Sequence, residues 1–169
     1  MIADARQCKP EIGLLWLAAM LLAAGVMVYA LDRGGTAYFL PTWLHRETGP
    51  PLFGLLGDHL PTFVHSLAFI LSTAAVLWPW PRLLPAICIT WFAIECAFEL
   101  GQLELLGRHV ADSVPAWLHG VPVLEAIPDY FALGTFDPLD ILSIALGAVI
   151  AYLGIRHMQF GATHDTFKR

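Results

Sequence analysis

Hydrophobic residues are gathered in four long runs along the chain. The first run, 12–31, contains twenty residues without a charged side chain. The others cover about 62–78, 83–106 and 139–155. A helix needs about 20 predominantly apolar residues to cross the hydrocarbon core of a bilayer. The pattern therefore predicts an all-α polytopic membrane protein, a four-helix transmembrane bundle that forms a single domain over residues 1–169.

The basic residues predict how this bundle is oriented. The two long connections, 32–61 and 108–137, hold only three of the nine Lys and Arg residues but seven of the fourteen acidic ones. By the positive-inside rule, both termini face the cytoplasm and both long connections face outward. The six basic residues on the cytoplasmic side are then Arg6, Lys9, Arg82, Arg156, Lys168 and Arg169.

The long connections are themselves partly apolar. The stretches 37–44, 51–56 and 117–131 are rich in aromatic and aliphatic residues. One interpretation places them along the membrane surface with the apolar side down. The other packs them onto the helix bundle as a small cap, and the sequence does not distinguish the two.

Composition narrows the class of protein further. Hydrophobic residues make up 57% of the chain and charged residues 14%, against about 45–50% and 25% in soluble domains. This excess argues against a soluble globular enzyme and against intrinsic disorder. The net charge of −5 argues against nucleic acid as a partner. The cysteines Cys8, Cys88 and Cys96 have no zinc-site spacing and are interpreted as small buried hydrophobes.

The third run contains polar side chains that a membrane span disfavours. Glu95, Glu99 and Gln102 follow the spacing i, i+4, i+7, which places them on one helical face. An ionised side chain at the bilayer centre costs about 2.5–3.5 kcal/mol on insertion scales, so this face should point into the bundle or a wet cavity. It either lines a site open to the outside or forms interhelical hydrogen bonds, with Glu95 protonated.

The start of the fourth run has both a structural and a functional interpretation. Asp137 is a suitable N-cap, Pro138 suits the first helical position, and an acid at the third position favours the helix dipole. Capping accounts for Asp137 better than for Asp140, which could face the bundle. His65 is predicted to start the second helix at the same membrane level, either as a structural residue or as a ligand or proton carrier.

The order of several short motifs resembles the VanZ-like family of small bacterial integral membrane proteins. The match covers mainly 60–154 and departs from the family in two places. Ser143 stands where the family usually has Asn, and the segment 109–134 separates the Arg from the Asp pair. The motifs are Thr62-Phe-Val-His65, Glu99-Leu-Gly-Gln102, Arg108, Asp137-Pro-Leu-Asp140-Ile-Leu and Gly147.

This resemblance implies a protein of the bacterial inner membrane. The family's named member is associated with low-level resistance to the lipoglycopeptide teicoplanin, which implies a link to antibiotic resistance in the cell envelope. The inherited motif residues would be His65, Glu99, Gln102, Arg108, Asp137 and Asp140.

The first functional hypothesis is an outward-facing site that binds or acts on a membrane lipid or lipid-linked envelope precursor. Glu99 or Asp140 would be the general base, alone or with His65. Gln102, Arg108 and Asp137 would bind the substrate, with Arg108 meeting an anionic head group. The sequence contains no specific metal motif, so a divalent metal, and whether the protein is an enzyme, both stay open.

The alternative is a non-enzymatic accessory protein that partners another envelope component, and a homo-oligomer also stays open. Ser143, Gly147 and Ala151 recur every four residues, a pattern of close helix packing that fits this alternative. Ion passage is weaker, because four short helices would need to oligomerise around a pore. Convergence of His65, Glu99 and Asp140 would favour the site. Asp137 and Asp140 acting only as caps, with Glu99 bonded to backbone, would favour the accessory protein.

Overall fold

The computed structural model describes residues 9–32, 52–118, 120–121 and 124–166, with side chains up to residue 160. All regular structure within these ranges is helical. The predicted stretch 37–44 and Cys8 lie outside the described residues. The α-helices are α1 (Pro10–Asp32), α2 (Leu55–Val76), α3 (Leu84–Leu100), α4 (Glu104–Asp112), α5 (Ile127–Leu133) and α6 (Pro138–Thr166).

Four of these segments are long and apolar enough to cross a membrane, which confirms the predicted all-α polytopic bundle. They are Pro10–Asp32, Leu55–Val76, Pro81–Leu100 and Pro138–Phe160. The second helix begins at Leu55 rather than near residue 62, so His65 lies well inside α2 and not at its start. The helix continues through Pro61, the residue that had set the predicted boundary. The protein is therefore a multi-pass membrane protein.

The third span ends earlier than predicted. Helix α3 stops at Leu100, and a turn over 101–103 leads into the separate helix α4, whereas the sequence predicted one helix over 83–106. Gly101 at this break leaves room for Phe131 of α5, because a Cβ there would lie 2.6 Å from the Phe131 Cε1 atom. Gln102 thus lies in the turn beyond α3 rather than on the helical face of Glu95 and Glu99.

Helix α2 is central, with α1, α3 and α6 packed around it. Glycines let it approach two of these neighbours closely. A Cβ at Gly25 of α1 would lie 2.9 Å from Val64 Cγ2, and one at Gly147 of α6 would lie 2.9 Å from the Phe63 carbonyl oxygen. The core between the helices is apolar and nearly water-free, including Ala68, Ile70, Ile144, Ala151 and Ile155.

Part of the apolar stretch between α4 and α6 packs onto the bundle. Helix α5 packs against α4, and Phe131 lies against Gly101 at the end of α3. This part of 117–131 is a cap on the bundle. Trp117, at the other end of this stretch, is 73% exposed and is not part of the cap.

Candidate functional site

Polar side chains meet at one end of the bundle, where α2 begins, α3 ends and α6 begins. His59 Nδ1 lies 3.0 Å from Asp140 Oδ1, and His59 Nε2 lies 4.0 Å from Asp137 Oδ2. The side chains of His59 and Asp140 are 18% and 13% exposed, while that of Asp137 is 42% exposed. With Glu99, these residues form what we call the polar cluster: His59, Glu99, Asp137 and Asp140.

Helix α6 positions both aspartates through its N-terminal turn. Asp137 is the N-cap, since its Oδ1 accepts a 2.8 Å hydrogen bond from the Leu139 N–H. Pro138 occupies the first helical position, where a missing N–H is harmless. Asp140 then stands at the third position and turns its carboxylate toward His59 rather than toward its own helix end. Capping therefore explains Asp137, as predicted, but does not explain the Asp140–His59 contact.

Glu99 connects the end of α3 to the start of α6. It is 6% exposed, and its Oε1 accepts a 2.8 Å hydrogen bond from the Asp137 N–H. A charged acceptor at an unsatisfied backbone N–H of a helix start is favourable, because the helix dipole is positive there. Glu99 thus fixes the N-terminus of α6 from a neighbouring helix, which is the backbone contact expected of a structural role.

Tyr130 of α5 covers the buried side of the cluster. Burial raises the pKa of its hydroxyl, and the negative charge of Glu99 raises the pKa further. Tyr130 therefore keeps its proton and can act as a hydrogen-bond donor. The Gln102 side chain hydrogen-bonds Tyr130, so Gln102 lies beside the cluster even though it is not on α3.

His65 is not brought to the carboxylates. Its ring stacks between Tyr29, with centroids 6.1 Å apart, and Phe69, at 6.0 Å. It is six residues beyond His59 on α2, or about 9 Å further along the helix axis. The packing is that of a structural histidine, one of the two alternatives that the sequence left open.

Glu95 lies below the cluster and makes a different contact. Its Oε2 accepts a hydrogen bond from the Ser66 hydroxyl of α2. Ser66 also lies 3.3 Å from the Ile144 carbonyl oxygen of α6. The Oε1 atom of Glu95 is buried without a hydrogen-bond partner among the described residues. The interhelical hydrogen bond expected under the structural interpretation is therefore present.

Arg108 lies on the exposed surface of the protein. It lies on α4, and its Nη2 pairs with Glu104 Oε1 at 3.0 Å, one turn earlier in the same helix. The two side chains are 68% and 80% exposed. The structure thus brings Asp137, Asp140, Glu99 and Gln102 together but places Arg108 in an exposed pair of its own.

His59 is the member of the cluster that the sequence did not predict. Pro61 was interpreted as the boundary of the second helix, which left His59 in the outer connection. Two signals were available. His59 lies three residues before the second apolar run. If the second helix began before residue 62, His59 would also lie on that helix, at the level where the fourth helix begins. Tyr130 was likewise missed, because it lay within an apolar stretch that was interpreted as a surface segment or a cap and was given no polar role.

The convergence of His65, Glu99 and Asp140 that would favour the site is not found among the described residues, because His65 stacks between Tyr29 and Phe69. The contacts that would favour the accessory protein are present only in part. Asp137 acts as a cap and Glu99 bonds to backbone, as the accessory hypothesis requires. Asp140 instead pairs with an imidazole from another helix, which capping does not require. Within the described part of the chain, no three His, Cys, Asp or Glu side chains are grouped to hold a metal ion. The imidazole and the carboxylates of the cluster can transfer protons and form hydrogen bonds.

Comparisons with protein families, characterised proteins and solved structures find no match for this chain. The resemblance to the VanZ-like family therefore rests on the short motifs alone. The function has to be argued from the polar cluster and from its position at the end of three membrane-spanning helices.

Proposed function

We propose that the protein is a VanZ-like protein of the bacterial inner membrane that binds or acts on a lipid or lipid-linked envelope compound. Both termini would be cytoplasmic, and the polar cluster would face outward. The observation that carries this proposal is the contact of His59 with Asp140 and Asp137 at the end of the bundle. Head groups of lipids in the facing leaflet lie at this depth when the spans cross the bilayer.

The pairing of His59 with two aspartates supports a chemical role. A carboxylate on one imidazole nitrogen fixes the orientation of the ring and lets the other nitrogen exchange a proton. His59 can therefore accept a proton from a hydroxyl or amine placed at the Asp137 side of the ring. The partly buried contact between His59 and Asp140 contributes little net stability on its own, because the cost of desolvating the two groups offsets their attraction.

The charge of the cluster favours a particular kind of head group. Three carboxylates present many hydrogen-bond acceptors, and the exposed member is Asp137. Such a surface suits hydroxyl and amino groups, as in sugars, amino acids or amine-bearing lipids, better than a bare phosphate. We therefore propose a head group rich in donors, with Tyr130 and Gln102 supporting the buried side of the cluster.

Expression of the chain in a teicoplanin-susceptible bacterium tests the proposed function. We expect the wild-type chain to raise the minimal inhibitory concentration of teicoplanin, and both His59→Gln and Asp140→Asn to abolish that rise at equal membrane abundance. Asp112→Asn is the matched control, because it makes the same change on the exposed side of α4. The proposal is wrong if the wild-type chain has no effect, or if both cluster variants keep the full effect.

The accessory alternative is weaker in one respect. The small residues that favoured it are engaged inside the bundle, since Gly147 lies against the backbone of α2 and Ala151 is 1% exposed.

Orientation is tested with a green fluorescent protein fused after the last residue. We expect fluorescence, because the fusion folds in the cytoplasm. An alkaline phosphatase fusion that is active at the same position would contradict the orientation.

A further inference from the structure

A groove of about 360 Å³ lies between α3 and α6, below the polar cluster. Its walls are almost entirely apolar, and small residues at two positions of α6, Ala145 and Ala148, leave the space open. Its volume falls within the range of about 300–1,000 Å³ that is usual for small-molecule sites. The residues that line it include Ile89 and Phe92 of α3 and Ala145, Val149 and Leu153 of α6.

The groove and the polar cluster belong to the same pair of helices. Phe92 and Glu99 are seven residues apart, so they share a face of α3 at levels about 10 Å apart. At the upper level, Glu99 accepts the hydrogen bond from the Asp137 N–H that joins α3 to α6. The exposed Asp137 side chain thus stands at the top of a contact whose lower part opens into the groove.

We propose that the α3–α6 groove holds an acyl chain of a membrane glycerolipid whose head group meets the polar cluster, an inference that rests on the proposed function. The dimensions fit this occupant. From Asp140 to Ala145 the helix rises about 7 Å, and from Ala145 to Leu153 about 12 Å. The first interval suits the glycerol region and the second suits a stretch of hydrocarbon within half of a bilayer core of about 30 Å.

A hydrocarbon chain fits the groove better than a helix from a second copy. Packed helices need about 8–10 Å between their axes and present a stripe of side chains along several turns. The residues that line the groove span only about two turns of α3 and about two turns of α6. Its apolar walls exclude a polar occupant, since an unpaired polar group in hydrocarbon is costly.

Photolabelling in lipid nanodiscs tests the acyl-chain site. The full chain is placed in phosphatidylglycerol discs containing phosphatidylethanolamine with a diazirine in the middle of one acyl chain. After illumination, labelled positions are quantified by mass spectrometry. We expect labelling of Ile89 and Val149 to exceed that of Leu146 and Ile150 about fivefold, as for an occupied site compared with passing lipid. Exposure does not explain a fivefold difference, because Ile89 and Val149 are 68% and 53% exposed and Leu146 and Ile150 are each 48% exposed.

A filled groove provides the matched variant. Ala145→Phe places a ring in the groove and should reduce the labelling of Ile89 and Leu153 about fivefold. Leu146→Phe adds a ring at the next residue, which does not line the groove, and should leave the labelling unchanged. Because the wild-type labelling pattern needs no variant, the inference stays testable even if Ala145→Phe fails to fold.

Equal labelling at groove and non-groove positions would overturn the inference. So would a dimer in native mass spectrometry that Ala145→Phe dissociates, because the groove would then be an interface between two copies. The same diazirine chain on phosphatidylglycerol tests the head group: weaker groove labelling by this probe supports recognition of the amine, and equal labelling refutes recognition of the amine. If the groove is labelled but His59→Gln and Asp140→Asn keep the teicoplanin effect, only the proposed function is refuted. If labelling is equal at groove and non-groove positions but those variants lose the teicoplanin effect, only the acyl-chain site is refuted.

Discussion

Helices α2 and α6 contact each other at two levels that differ in chemistry. His59 and Ser66 are seven residues apart on α2, and Asp140 and Gly147 are seven apart on α6. The same faces therefore meet twice, about 10 Å apart along the helices. At the first level an imidazole meets a carboxylate at 3.0 Å. At the second level Ser66, which is 0% exposed, lies against Gly147.

The difference between the levels concerns what each contributes to the fold. The Ser66–Gly147 level brings two helix backbones together and excludes solvent, so its geometry is fixed by steric fit. The His59–Asp140 level holds polar groups that retain 13–18% exposure, and Asp137 beside them retains 42%. Steric fit and the Ser66–Glu95 hydrogen bond account for the first level. The second level keeps polar side chains partly exposed at the end of the bundle.

The largest expected effect is at the packing level. Gly147→Ala should lower the free energy of unfolding by about 1–3 kcal/mol, because the overpacked atom meets backbone that cannot yield. A Cβ there would lie 2.8 Å from Ser66 Cβ and 2.9 Å from the Phe63 carbonyl oxygen. Gly154→Ala is the matched control on the same helix, since its Cβ would meet nothing within 4 Å. It should be neutral or stabilise by up to about 1 kcal/mol. Thermal unfolding in detergent measures both, and equal losses would remove the steric argument.

Ser66 provides a second prediction, which separates packing from polar pairing at the same level. Ser66→Ala removes the hydroxyl that Glu95 Oε2 accepts, while the other oxygen already lacks a partner. We expect a loss of about 1–2 kcal/mol from an unsatisfied buried group. Ser66→Ala combined with Glu95→Leu should recover most of it, because both polar partners are then absent. If the double variant is less stable than Ser66→Ala alone, Glu95 has a role other than this hydrogen bond.

The coupling between His59 and Asp140 is expected to be smaller. A double-mutant cycle with His59→Gln and Asp140→Asn should give an interaction energy of about 1 kcal/mol, because desolvation offsets part of the attraction. Each single variant should nevertheless remove the teicoplanin effect. A coupling of several kcal/mol together with a loss of the folded protein would instead make this level as structural as the one below it.

The packing level could largely be predicted from the sequence, and the polar level only in part. The four-residue repeat of Ser143, Gly147 and Ala151 indicates a close helix contact, and the structure places Gly147 and Ala151 in one. Periodicity suffices here because the pattern lies within a single helix. Asp137 as N-cap was predicted for the same reason, since a cap depends on residues next to it in the chain.

His59 depends on tertiary structure and could not be found in that way. Its partner lies 81 residues away, and its place on a helix depends on α2 continuing across Pro61. Gln102 shows the opposite error, because the spacing predicted that the third helix continues through it, whereas α3 ends at Leu100. Local patterns predict spans and caps, whereas the cluster arises from where those spans end relative to one another.

Arg108 gives the smallest expected effect on stability and a sharp test of the polar level. An exposed pair at i, i+4 contributes less than about 0.5 kcal/mol, so Arg108→Gln should leave the unfolding temperature nearly unchanged. The family resemblance implies that Arg108 binds substrate, whereas the structure pairs it with Glu104 on α4. We expect Arg108→Gln to keep most of the teicoplanin effect that Asp140→Asn removes, with Glu104→Gln as its control. A loss as complete as that of Asp140→Asn would mean that α4 moves and brings Arg108 to the cluster when the ligand binds. The head group would then be anionic, and the acceptor-rich cluster alone would not define its chemistry.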